Sequence, residues 1–357
     1  MKILFLFPYP LEQAPSQRFR FEQYFAALLK QGYSIDRQSF WGEYYWKVLY
    51  KKGNTLQKAW GLLNGFARRF KVLGGVSSAD FVFIHRELTP LGPPIFEWLI
   101  TKVFSKKVIF DFDDAIWLPN TSESNKIAGW LKWHSKTESI CRWSWKVSAG
   151  NSYLAHYAKQ FNDYVVISPT TIDTEHHHRI NKKPKPTNDP ILIGWTGSHS
   201  TLPYLDMLWP ALEQLAKDEK FSFRVISNQP PPVNYPWLEF IAWNKETEID
   251  DLAAIDIGVM PLTDDKWSKG KCGFKALQYM ALEISTVASP VGVNTDIIKD
   301  GINGLMATNT EEWVFALKKL IKSTALRTQL SEEGRRTVEN TYSVKANIKN
   351  FLELFGK

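Results

Sequence analysis

The stretch ASPVGVNTDIIKDGINGL, residues 288–305, opens on the end of an apolar run, turns at a Pro-x-Gly step and closes on a second glycine-marked turn. An apolar run feeding such a turn reads as a buried parallel strand with a loop at its carboxyl end. Outward from it, runs of the same kind recur at 3–7, 81–84, 108–112, 165–168, 191–195, 223–227 and 257–261, beside the run at 286–289 itself. Between them lie helical periods, such as Phe21, Phe25, Leu28 and Leu29, or Trp313, Leu317, Leu320 and Ile321. Strand alternating with helix predicts an α/β fold of doubly wound parallel sheets, whose ligands bind beyond the carboxyl ends of the strands.

A chain of 357 residues suits two compact domains better than one. Over residues 169–190, prolines, charges and polar side chains replace any apolar period, which predicts a linker. The expected organisation is a Rossmann-like domain over 1–168, the linker 169–190, a second Rossmann-like domain over 191–342, and a C-terminal helix over 343–357 able to cross back to the first domain. A cleft between the two halves is the expected active site.

Hydrophobic residues at 44% and charged residues at 23% fit a soluble globular chain, whereas aromatics at 14%, with 15 Trp, call for an explanation. Cys141 and Cys272 stand too far apart for a disulfide framework or a zinc pattern, so a reducing cytoplasm is the expected compartment. MKILFLFPYP is too short for the apolar core of a signal peptide and reads as a first buried strand. No run approaches the roughly 20 apolar residues of a membrane-spanning helix, so any membrane contact is expected to be peripheral. The net charge of +7 suits an anionic partner. No zinc finger, RNP-like signature or readable basic helix occurs, and nucleic acid is not expected.

In the C-terminal half the run at 191–195 leads into Thr196, Gly197 and Ser198, a small hydroxylated turn continuing to Thr201 before a helix expected near Leu202. Backbone N–H groups in such a turn can approach phosphate oxygens, although an ordinary strand-to-helix loop looks the same. It is neither a G-x-G-x-x-G fingerprint nor a P-loop. In WSKGKCGFKALQYMALE, residues 267–283, Gly270 and Gly273 loosen a turn before a helix expected to start near Cys272, with Phe274, Leu277 and Ala281 on its buried side. Lys271, Lys275 and Gln278 then fall at i, i+4 and i+7 on another face. Two lysines and the positive end of a helix would stabilise a diphosphate; a solvated lysine face gives the same spacing.

A glycine-rich basic loop, a helix, the strand STVAS and then PVGVNTDIIKDGINGL resemble the donor domain of the family-four retaining glycosyltransferases, which have the GT-B fold of two Rossmann-like domains facing across a cleft. The resemblance implies transfer of a sugar from a nucleotide diphosphate sugar to a hydroxyl acceptor, with retained configuration, as in cell-surface polysaccharide or glycolipid synthesis. The nucleotide sugar is a co-substrate and no cofactor is expected. By resemblance Ser289, Pro290, Val291 and Gly292 sit near the donor; with the turn Thr196, Gly197 and Ser198 and the segment Lys271, Cys272, Gly273, Phe274, Lys275 and Gln278 they make up the expected donor side. Residues 296–305 read as architectural, Gly301 and Gly304 supplying turn conformations. The family commonly has two glutamates eight positions apart around this helix; here those positions are Gly270 and Gln278, and Glu283 and Ser285 replace a usual small residue and proline. Gln278 can still bond ribose hydroxyls, and Lys269, Lys271 and Lys275 are candidates to take over from the missing carboxylate.

The N-terminal half gathers polar clusters at strand ends. Arg18 follows the first strand, Arg86 and Glu87 follow FVFI, and Asp113 and Asp114 follow VIF. Arg18, Arg86 and Glu87 are the expected acceptor-side groups, with paired surface charges as the alternative. Asp113 and Asp114 are the expected catalytic carboxylates, placed to orient or deprotonate a hydroxyl. Asp111-x-Asp113 imitates the metal-binding D-x-D of the other large glycosyltransferase fold, but that fold leaves the phosphate-like turn at Gly194 and the 288–305 stretch unexplained, so metal independence is expected. The run His176, His177 and His178 is not expected to bind metal, because consecutive side chains point different ways.

Residues 41–71 mix Trp41, Tyr44, Tyr45, Trp46, Tyr50 and Trp60 with Lys47, Lys51, Lys52, Lys58, Arg68, Arg69 and Lys71, against Glu43 alone. That mixture suits a membrane interface, a helix pair stacked on sugar rings, or the edge of an aromatic core. Two further functional classes stay open: a catalytically silent nucleotide-sugar-binding subunit, given Gly270, and a GT-B-fold sugar-nucleotide epimerase.

Overall fold

The computed structural model describes residues 1–49, 51, 53–119, 133–180 and 189–356. The expected linker at 169–190 is therefore described only in part, and Tyr50 and Lys52 lie outside the described residues. Two compact units emerge. Unit 1 comprises Met1–Thr170, Gly270–Cys272 and Ile348–Lys357; unit 2 comprises Thr171–Lys269 and Gly273–Asn347.

Unit 1 is built on β1 (Lys2–Phe7), β2 (Ser34–Ser39), β3 (Phe81–His85), β4 (Lys107–Phe112), β5 (Lys146–Ala149) and β6 (Val165–Ile167), in the spatial order β2-β1-β3-β4-β5-β6. All these pairings are parallel, with Ile3 opposite Phe81 and Ile84 opposite Phe110. Unit 2 is built on β7 (Ile191–Thr196), β8 (Phe221–Ser227), β9 (Leu238–Ala242), β10 (Ile257–Met260), β11 (Ser285–Ala288) and β12 (Leu305–Met306), in the order β12-β11-β10-β7-β8-β9, again parallel throughout. Each sheet reverses its direction of growth once, between β1 and β3 and between β7 and β10. Such a reversal splays the flanking loops apart at the carboxyl ends of the strands and opens a crevice for ligands.

Seven of the eight runs read from sequence are inner strands, largely buried; the run at 165–168 is instead the edge strand β6, half-buried to exposed. β2 and β9 are edge strands whose side chains are largely half-buried or exposed, so SIDRQS and LEFIA carry no full apolar run. β5 and β12 are four and two residues long, too short to register as runs.

The aromatic excess goes largely into the core of unit 1. Phe5, Phe21, Phe25 and Phe83 interlock at centroid distances of 5.0–5.8 Å, and the C-terminal segment completes the cluster. Phe351 stacks on Tyr24 at 4.2 Å, and Phe355 packs against Phe5, Phe81 and Phe83. Lys146 Nζ then fixes the chain end by donating to the carbonyls of Glu353, Leu354 and Gly356. In unit 2, Trp195, Trp209 and Trp313 fill one core layer with Phe223 and Leu317, while Tyr279 lies in a second with Leu252 and Ile255.

Candidate functional site

In unit 1 the ends of β3 and β4 place Arg86, Asp113 and Asp114 together beside the β1/β3 reversal. Arg86 has φ 60°, a left-handed conformation that a bulky side chain rarely adopts. Its N–H donates to Asp111 O at 2.7 Å, which holds the strained turn. The guanidinium donates through Nε and Nη2 to Asp113 Oδ1 at 2.9 and 2.8 Å, and through Nη2 to Asp114 Oδ2 at 2.6 Å. The other oxygen of Asp114, Oδ1, accepts from Lys271 Nζ at 2.9 Å.

Lys271 is held by its own backbone. Asn151 Nδ2 donates to Lys271 O at 2.9 Å, while Asn151 Oδ1 caps the Ser152–Ala158 helix by accepting from Leu154 N. Cys272 Sγ lies 3.2 Å from Asp113 O, and Gly150 leaves it room, since a Cβ there would stand 2.4 Å from the sulfur. Burial pushes the Cys272 thiol far up, so it stays neutral and serves as packing, not as a nucleophile.

These charges act on one another. Burial alone would raise the Asp114 pKa, but Lys271 and then Arg86 hold it below the usual carboxylate range. Burial works against the Arg86 cation, yet Asp113 and Asp114 keep it firmly charged. Tyr9, beyond the end of β1, has its phenol pKa raised by burial, with Arg86 opposing. Nothing in the sequence marked Tyr9 except its place at a strand end.

Beneath this group lies a buried one that sequence reasoning missed. Arg20 pairs with Asp111, His85 Nδ1 lies 2.8 Å from Asp111 Oδ2, and Ser148 Oγ donates to Asp111 Oδ1 at 2.6 Å. Burial would raise the Asp111 pKa, but Arg20 and His85 hold it far below the carboxylate range. The first carboxylate of the D-x-D pattern is thus neutralised inside the unit. Among the described residues no group of three or more His, Cys, Asp and Glu side chains is placed to hold a metal ion.

The other acceptor-side candidates make no ion pair with this cluster among the described residues, although Glu87 acts on Tyr9 together with Arg86, Asp113 and Asp114. Glu87 pairs with the buried Lys136 at 2.6 Å, and Arg18 is buried with its guanidinium 4.9 Å over the Phe19 ring.

In unit 2 the 196–201 turn stands at the end of β7, beside the β7/β10 reversal. Its backbone is more committed than expected. Thr196 N donates to Tyr279 Oη, Gly197 N to Ile226 O, His199 N to Asn228 Oδ1 and Thr201 N to Ser198 O. The exposed hydroxyls of Ser198 and Ser200, 2.8 Å apart, are left facing solvent. Gly197 is required by contact, since a Cβ would stand 2.5 Å from the Trp195 ring.

The following helix begins at Phe274, not at Cys272, because Gly273 at φ 68° breaks the helical phase. Lys271 therefore does not share a helix face with Lys275 and Gln278. Lys275 Nζ sits 5.4 Å over the Trp195 ring, and Phe274 is half-buried. Gln278 is turned inward, 1% exposed, with Nε2 3.4 Å from His178 Nε2.

After β11, Ser289 is buried and its Oγ accepts from Leu262 N, so its hydroxyl serves the turn. Pro290 is exposed, Val291 is buried, and Gly292 at φ 56° passes so near Lys269 that a Cβ would stand 2.9 Å from its carbonyl oxygen. Gly301 has φ 75°, as a turn glycine should, whereas Gly304 is needed for close approach, its Cβ position lying 3.0 Å from Thr286 O.

Residues 190–323, the body of unit 2, match the family described as glycosyl transferases group 1. No protein of curated function matches the sequence significantly. Among solved structures, a sucrose-phosphate synthase from Thermosynechococcus elongatus superposes with a TM-score of 0.71 at 12% identity, over 99% of this chain and 98% of that one. A glycosyltransferase from Rickettsia africae gives 0.70 at 17% identity over 99% and 97%. HepE of Anabaena, in complex with UDP, gives 0.66 at 12% identity over 99% of both chains. The fold is therefore GT-B.

Proposed function

We propose that this protein is a glycosyltransferase that moves a sugar from a nucleotide diphosphate sugar to a hydroxyl of a glycan or lipid-linked acceptor, in cell-surface polysaccharide or glycolipid synthesis at the cytoplasmic face of the membrane. The observation that carries the reading is that the segment matching glycosyl transferases group 1, residues 190–323, contains the strand-end turn at 196–201 and Lys275. In the reaction the bond from the anomeric carbon to the diphosphate breaks, one to the acceptor oxygen forms, and the proton of the acceptor hydroxyl leaves with the diphosphate. Negative charge grows on the departing diphosphate, and fixed positive charge there lowers the barrier. Lys275, with the hydroxyls of Ser198 and Ser200, is assigned that task.

Unit 1 is assigned the acceptor. Because Lys271 and Arg86 depress the Asp114 pKa, Asp114 is ionised and a weak base at neutral pH, suited to accepting a hydrogen bond without taking the proton. Its proposed role is to orient the attacking hydroxyl, beside Asp113, while Lys271 holds the carboxylate in place. Retention of configuration follows from the family-four resemblance. Metal independence is supported by the commitment of Asp111 to Arg20 and His85, and a cytoplasmic site by two free, buried cysteines.

HepE was solved with UDP, so UDP sugars are the first to test, followed by ADP and GDP sugars. Thermal shift of the purified chain should show one nucleotide class raising the melting temperature. Incubation with acceptor extracts in excess chelator should then release nucleoside diphosphate. No stabilisation by any nucleotide sugar, together with no release, would overturn the reading. Stabilisation without release would favour a silent binding subunit, the reading that Gly270 supports.

A further inference from the structure

The Thr55–Val76 helix of unit 1 has a buried inner face and, on its other side, an apolar stripe that the described residues leave largely exposed. Its inner face presents Gly61, Gly65, Arg69 and Val76, all buried. Gly61 and Gly65 let it close onto Tyr45 and Phe40, whose rings occupy the positions a Cβ would take. Arg69, which the sequence groups with the surface cations, is instead fully buried and donates to the carbonyls of Leu88 and Phe7. On the opposite face Leu56, Trp60, Leu63 and Phe70 recur at intervals of four, three and seven residues, one side of a helix. They are 78%, 65%, 58% and 64% exposed. Trp98, 45% exposed, belongs to the short Ile95–Trp98 helix, whose Phe96 packs on Phe70 at 4.9 Å.

Scattered exposed apolar side chains need no explanation, but a stripe along one helix face does. Charge identifies what covers it. Lys47, Lys51 and Lys71 are exposed and Lys58 and Arg68 half-buried, against Glu43 as the sole acid of residues 41–71. A second copy of this chain would bring the same positive field to the face and be repelled. An anionic lipid surface offers headgroup charge for the lysines, an apolar layer for Leu56, Leu63 and Phe70, and an interfacial zone suited to Trp60. Among the described residues no helix is long and apolar enough to cross a membrane.

We infer that the outer face of the Thr55–Val76 helix docks in the plane of an anionic bilayer surface. This deepens the location proposed above, but it is read from binding and not from transfer, so the two fail separately. The test is flotation of the full chain with vesicles of phosphatidylcholine alone or with about a third phosphatidylglycerol, at low and high salt. The expected result is binding to the anionic vesicles only, weakened by salt. The double variant Trp60→Ser/Phe70→Ser should lose more than about tenfold in partitioning. Lys47→Glu/Lys71→Glu, which leaves the apolar stripe intact, should also lose binding. Absence of binding to anionic vesicles, undiminished binding by both variants, or a solution dimer that Trp60→Ser/Phe70→Ser disrupts would each overturn the inference.

Discussion

Lys271 Nζ lies 2.9 Å from Asp114 Oδ1, so the lysine expected on a diphosphate is bound instead to the carboxylate expected at the acceptor. Lys271→Ala therefore separates two roles. As a positioning residue for Asp114 its loss should lower kcat about 10-fold or more while leaving nucleotide affinity unchanged. Asp114→Asn should lower kcat at least as far. Calorimetric titration with the nucleoside diphosphate decides the matter: a large loss of affinity in Lys271→Ala with kcat preserved would return the lysine to the donor.

Asp111 and Arg20 form a buried pair whose side chains are 2% and 1% exposed. Removing one partner leaves the other charged in a dry site, so Asp111→Asn should cost about 3–5 kcal/mol of unfolding free energy. The pH dependence follows from the depressed Asp111 pKa. Its stabilisation is present in full above the unfolded-chain value of about 3.9 and is lost as pH falls from there through the lower folded value. Urea melts of the wild type should weaken below about pH 4, and the variant should show a shallower acid limb. Identical pH slopes in the two proteins would refute the assignment.

Lys275 carries its charge over the Trp195 ring at the end of β7. Lys275→Ala should weaken nucleotide-sugar binding by about 10–100-fold, the range for losing a charge-assisted contact. Trp195 lies in the core, so the melting temperature should hardly move. Unchanged affinity and unchanged turnover would remove Lys275 from the site.

Asn303, in the DGINGL segment, accepts from Lys299 N at 2.7 Å and donates to Ile297 O and Thr337 Oγ1 at 3.0 Å each. It is 4% exposed, so Asn303→Ala should orphan buried partners and destabilise unit 2 by at least about 2 kcal/mol. Chemical denaturation should register that loss; a variant as stable as the wild type would show the hub to be dispensable.

The fold was legible because inner strands of a parallel sheet must be apolar on both faces, and ILIGW or FVFI can be little else. Edge strands carry no such obligation, which is why Ser34–Ser39 stayed silent. Arg86, Asp113 and Asp114 were legible as charges at the carboxyl ends of parallel strands, where functional groups gather; that they pair with one another and with Lys271 was not. Nor was it legible which charges pair in the interior. Arg18 and Arg20 look equivalent in PSQRFR, as do Asp111 and Asp113 in DFDD, and both arginines are buried; only long-range pairing joins Arg20 to Asp111. Gln278 failed for a related reason: a helix period names a face, and His178, 100 residues away, decides that this face is covered. At Gly273 one left-handed residue shifted the helix start and carried Lys271 out of the face assigned to it.

Gly292 ends the Pro-x-Gly step of the 288–305 stretch under two constraints at once. Its φ of 56° is open to glycine and costly to a side chain, and a Cβ would meet Lys269 O at 2.9 Å and Lys269 Cα at 3.0 Å. Both obstacles are backbone, so no rotamer change relieves them. Gly292→Ala must therefore move the turn or the 266–269 segment beside it, at a cost of about 1–3 kcal/mol. Since that segment leads directly into the loop preceding Lys275, the displacement should also reduce nucleotide-sugar affinity. Gly301→Ala is the control, with a comparable φ of 75° but nothing within 4 Å of its Cβ position. It should lose stability through backbone strain alone and keep its affinity. Equal affinity losses in the two variants would mean that strain, not the contact with Lys269, transmits the effect.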